Sequence, residues 1–93
     1  MDTWATWTTQ GIIAGSGGVM TTEGGPITGD LTVHTSWIDG LARVTVQHTG
    51  ATEWYAMLGS PVPAANEDTG RAVHQAAVEA VNEGGGATLT FPA

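Results

Sequence analysis

Three histidines, three serines and two arginines are the side chains on which most chemistry in this chain would have to rest, because it has neither lysine nor cysteine. Without cysteine there is no thiolate nucleophile, no disulfide and no Cys-ligated zinc or iron–sulfur centre. Acyl transfer would fall to Ser16, Ser36 or Ser60, and none of them stands in a G-x-S-x-G elbow. The glycine cluster Gly15-Ser16-Gly17-Gly18 looks like a phosphate cradle. A Walker loop needs a Lys before its Ser or Thr, and a dinucleotide fingerprint needs another glycine spacing, so the cluster reads as a flexible turn.

A metal site would need His34, His48 and His74 to converge. The hairpin register derived below puts His34 and His48 on opposite faces of a sheet, with His74 at the edge of a helix stripe, so no metal site is expected. Asn66-Glu67-Asp68 lacks the alternating acids of a calcium loop and is explained by helix capping. One polar constellation survives: Ser36 faces Arg43 across two strands with His34 diagonal to it, a patch suited to an anion or to a solvated sheet surface.

The elements that position these residues are clearest between Asp30 and Thr49. Two runs rich in β-branched residues flank Asp39-Gly40, a dipeptide that takes the positive φ angles of a type I′ turn. A two-residue loop pairs Ile38 with Leu41, Trp37 with Ala42, Thr35 with Val44, Val33 with Val46 and Leu31 with His48. One face is then apolar, and the other carries Asp30, Thr32, His34, Ser36, Arg43, Thr45, Gln47 and Thr49.

A third strand is expected over 53–58 and stops at Gly59-Ser60-Pro61. Its alternation fails, since Trp54, Ala56 and Leu58 lie on one side and Tyr55 and Met57 on the other. A two- or four-residue loop sends Tyr55 and Met57 inward, and a three-residue loop sends Trp54 and Leu58 inward. Asn66 caps a helix expected over 67–83, with Glu67 and Asp68 in the favourable first turn and Gly84-Gly85-Gly86 as its stop. Its apolar stripe, Val73, Ala76, Ala77, Ala80 and Val81, is made of small side chains that let the axis sit close to a sheet. Residues 87–91 alternate and read as a short closing strand. In the first 28 residues Trp4–Trp7 reads as strand, Ile12–Ala14 and Val19–Thr22 as a first hairpin, and Gly24-Gly25-Pro26 as a linker.

The expected fold is therefore α+β and a single domain over 1–93: an antiparallel meander of about 4 to 6 strands, one helix on one face and a short C-terminal strand. Nine acidic residues against two basic ones give a net charge of −7, which repels nucleic acid and anionic membrane surfaces. Met1-Asp2-Thr3 has no positive leader region and no apolar run reaches bilayer length, so a soluble cytoplasmic protein is expected. The Ala, Gly and Thr excess without Lys looks like the output of a GC-rich genome or one of its phages.

Four Trp, one Tyr and one Phe leave more aromatic surface than one small helix covers, so either the N-terminal hairpin folds over the second sheet face or an aromatic patch stays exposed as an interface. The leading expectation is a non-enzymatic interaction or assembly protein, binding itself or a protein partner through Trp54, Tyr55, Met57, His34 and Arg43, without cofactor. The alternative is a small-molecule binder or minimal enzyme with a pocket between sheet and helix, using His34, Arg43 and His74. A third is an acidic inhibitor of a nucleic-acid-processing protein.

Overall fold

The computed structural model describes residues 3–91. Its regular elements are β1 (Trp4–Ile13), β2 (Val19–Thr21), β3 (Gly25–Ile27), β4 (Asp30–Ile38), β5 (Leu41–His48), β6 (Tyr55–Ala56), β7 (Val62–Pro63) and α1 (Glu67–Glu83). The fold is α+β: an antiparallel sheet in the order β1-β4-β5-β6, with β7 also on β5, a two-stranded β2–β3 ribbon, and one helix packed on the sheet. No helix among the described residues is long and apolar enough to cross a membrane.

The β4–β5 hairpin has the register that its turn dictates, from Leu31 opposite His48 to Ile38 opposite Leu41. Asp39 and Gly40 both take positive φ, 53° and 76°, as a type I′ turn requires. Leu31, Val33, Thr35, Trp37, Ala42, Val44 and Val46 are all buried on one face. Above them lies α1, capped by the Asn66 side chain, which accepts the Thr69 N–H at 2.9 Å. Its buried residues include Gly70, Val73, Ala77 and Val81. Gly70 is where the helix comes closest: a Cβ there would lie 3.0 Å from Trp7 Cη2 and 3.1 Å from Trp37 Cβ.

The first 28 residues pair differently from the expectation. Ile12 does not join a hairpin with Val19–Thr22; it is part of a ten-residue strand that pairs with β4, with a register shift between Thr9 and Ile12 at Gly11 (φ 73°). Val19–Thr21 pairs instead with Gly25–Ile27. The reason is that β4 offers a long apolar partner on which β1 buries Trp7 and Ile12, something that a short glycine-linked hairpin lacks.

The glycine cluster is structural. Gly15 N–H donates to Val81 C=O at 2.9 Å, Gly86 N–H donates to Gly18 C=O at 3.0 Å, and a Cβ on Gly15 would overlap the Glu83 carbonyl. Residues 15–18 thus close against the end of α1 at a backbone distance that only glycine permits.

The closing strand is corrected. Residues 87–91 form no strand, and Ala87 makes only a single parallel bridge to Val19. Leu89 N–H donates to Leu58 C=O and Ala87 C=O accepts from Met20 N–H, so this segment makes isolated backbone bonds and no continuous ladder with the sheet.

Candidate functional site on the open face of the sheet

Among the described residues no helix or strand covers the face of the sheet opposite α1, and only the loop after β5 reaches over part of it, through Thr49 beside the buried Thr32 and Trp54 on His34. Cross-strand partners share a face, so the register brings together Trp4, Ile38 and Leu41 in one row, Thr6, Ser36 and Arg43 in the next, and Thr8, His34, Thr45 and Ala56 in the third. The alternation that buries one side of β4 and β5 therefore delivers a shelf of hydroxyls with apolar residues around it.

His34 is the hub of this shelf. Its Nδ1 lies 2.8 Å from Thr8 Oγ1 and its Nε2 3.3 Å from Ser36 Oγ, so both ring nitrogens have hydroxyl partners. The Trp54 indole meets the His34 ring edge-on at 5.9 Å between centroids. Gln47 reaches the Ala51 carbonyl at 2.7 Å, which ties the 50–54 segment back to β5. Arg43 is exposed opposite Ser36 and has no carboxylate within ion-pair distance among the described residues.

The sequence-derived site residues divide between the two faces. Tyr55 pairs with Val46 on the core side, where its half-buried ring lies against Gly24, and Met57 is wholly buried. Of the two strand readings, the one with Tyr55 and Met57 inward holds, and Met57 is a core residue with no surface to offer. Trp54, His34 and Arg43 are on the open face. The pocket that was to combine His34, Arg43 and His74 does not exist, because His74 lies on the helix side of the sheet. There its Nδ1 is 2.8 Å from Thr35 Oγ1 and its Nε2 2.8 Å from Thr9 Oγ1, not near His48. Burial first, and then the proximity of His34, holds the His74 imidazole below its ordinary 6.5.

A shallow cleft of about 600 Å³ opens beside His74, lined by Trp7, Thr9, Arg71, Val78 and Glu79 among others. Trp7 stacks on His74 with centroids 6.5 Å apart. Among the described residues no three His, Asp or Glu side chains gather where they could hold a metal ion.

Sequence reasoning overlooked Ile13 and Ile38, and did not separate Trp4 from Trp7. The signal was available: a spacing of three puts two strand residues on opposite faces, so in β1 only one of the two rings can be in the core. Trp7 packs against the core, and Trp4 remains 64% exposed. No protein-family model, curated protein or solved structure matches this chain.

Proposed function

We propose that this chain is a non-enzymatic, cytoplasmic interaction or assembly protein whose contact surface is the open face of the sheet. One observation carries the reading. Of the five large hydrophobic residues left exposed among the described residues, four project from this face: Trp4 (64%), Ile13 (66%), Ile38 (49%) and Trp54 (43%). Solvent-exposed aromatic residues around a polar shelf have the composition of a binding surface, and Trp and Arg are among the residues that dominate binding energy. The net charge of −7 favours a partner with a basic surface and speeds encounter at low salt. Ser36 and His34 are in hydrogen-bond contact, but no carboxylate orients the imidazole, whose other nitrogen is taken by Thr8.

The test is site-specific photo-crosslinking in cells that make the protein, with the crosslinking residue at Trp54 and, as a control, at Asn82, which is exposed on α1 and does not line the cleft beside His74. A discrete adduct from position 54 and none from the control is the expected result. Equal labelling at both positions, or none at 54, counts against the open face. The cleft beside His74 favours a second reading, a small organic anion held by Arg71 over Trp7. A thermal-shift screen with organic anions decides it, through a melting-temperature rise that Arg71→Ala abolishes.

A further inference from the structure

We infer that β1 is a self-pairing edge, through which a second copy of this chain extends the sheet antiparallel to the first. This deepens the interaction reading by naming one partner, and it rests on a separate feature, the border of the sheet. β1 is the terminal strand in the order β1-β4-β5-β6, and no other described strand pairs with it. The backbone parity fixes which of its groups are free. Val44 sends its carbonyl to Met57 N–H and its N–H to Ser60 Oγ, away from β4. Its partner Thr35 therefore directs both groups to β1, where it meets Trp7. Trp4, Thr6 and Thr8, on the alternate parity, point their N–H and C=O groups outward.

Proteins normally protect such an edge with charge, proline or an early bulge. The strand WATWTTQGII has no charged residue and no proline, in a chain with nine acids and two arginines, and its bulge comes only after Thr9. An uncharged strand is the part of a −7 chain that a second copy can approach without repulsion, and it offers a basic peptide no carboxylate to pair with.

The strand is also self-complementary. An antiparallel pairing centred on Thr6 uses every outward group of the regular stretch, matching Thr6 with Thr6 and Trp4 with Thr8 of the other copy. The intervening positions set Trp7 against Ala5, so each ring meets a small side chain, as an isologous two-fold contact requires. Space permits it. α1 lies over β1 and β4, with Gly70 against Trp7 and Trp37 and His74 bonded to Thr9 and Thr35. Each helix axis is then set back about half of the ~4.8 Å strand spacing, leaving the two helix starts about 10 Å apart, at the upper end of ordinary helix–helix separation. Both open faces come to lie on the same side, with the two Trp4 rings near the middle of one doubled surface.

Light scattering during size-exclusion chromatography tests the pairing on the full chain. The wild type is expected at twice its 9.5 kDa monomer mass at micromolar concentration. Thr6→Pro removes only an outward N–H, and Thr6→Glu sets two carboxylates together at the two-fold axis; each should raise the dimer dissociation constant about tenfold or more with an unchanged helical circular dichroism signal. Amide exchange should show residues 6 and 8 protected in the wild-type dimer, residue 8 open in both variants and residue 6 open in Thr6→Glu. A wild type that stays monomeric at hundreds of micromolar overturns the pairing, and continued crosslinking from Trp54 would then leave the open-face reading intact. A dimer indifferent to both Thr6 variants but dissolved by Trp54→Ala also overturns it, by moving self-contact to the open face.

Discussion

The two faces of the sheet share the same strands and the same alternation, yet they end in opposite states. On the helix side, small residues of α1 let the axis approach, and the large side chains come from the strands: Leu31, Val33, Val44 and Val46 are wholly removed from water. Even the polar groups there are matched, with His74 bonded on both nitrogens and Trp37 Nε1 donating to the Ala64 carbonyl at 2.8 Å. On the other face, hydroxyls bond to His34 while tryptophan and isoleucine rings and branches face solvent. The difference shows that apolar content alone does not make a core. A second layer does, and the described residues hold one helix to give.

The sharpest way to break that contrast is to truncate neighbours on opposite sides of the same short segment. Met57→Ala removes a wholly buried side chain and is expected to destabilise the fold by about 2–5 kcal/mol in urea denaturation. A loss below ~1 kcal/mol would mean that the core side near β6 is loosely packed.

Acid should come next, and it acts on the helix side. Because the His74 pKa is lowered in the fold, the unfolded chain binds a proton more readily. The contribution of His74 is fully present above 6.5 and is lost progressively as pH falls below that value toward the lower folded pKa. Stability measured from pH 7.5 to 5 should therefore decline on acidification, and His74→Gln should flatten the decline. An unchanged slope in that variant would assign the effect to other groups.

The smallest effect is expected from Trp54→Ala, about 1 kcal/mol or less, because the lost contact is one half-exposed ring edge on His34. The comparison predicts that this substitution matters for binding and hardly for folding. A loss as large as that of Met57→Ala would make Trp54 part of the core and remove the functional distinction between the faces.

The β4–β5 hairpin was legible to the residue, since turn chemistry and period-2 alternation are local and agree. The helix was legible at both ends for the same reason, with Asn66 and Gly84 marking them. The first strand was not. Its partner β4 starts seventeen residues after it ends, and nothing in a run of threonines and tryptophans says which distant strand will bury it. The Ile12–Ala14 hairpin failed there, and so did the closing strand, whose alternation was genuine but found no free sheet edge. Within the candidate site, Ser36 and Arg43 opposite one another and His34 diagonal to Arg43 followed from the register, while Thr8 and Trp54 were added by β1 and by the loop after β5.

Composition and local pattern by themselves determined the absence of thiol and lysine chemistry, the negative charge, the hairpin register and the helix limits, because each depends on residues within one or two turns of chain. Tertiary structure alone decided that β1 borders the sheet, that Met57 goes inward while Trp54 stays out, and that His74 is on the other side from His34. Those outcomes depend on which surfaces meet across long stretches of chain, and the free energy of burial that selects among them belongs to the packed whole.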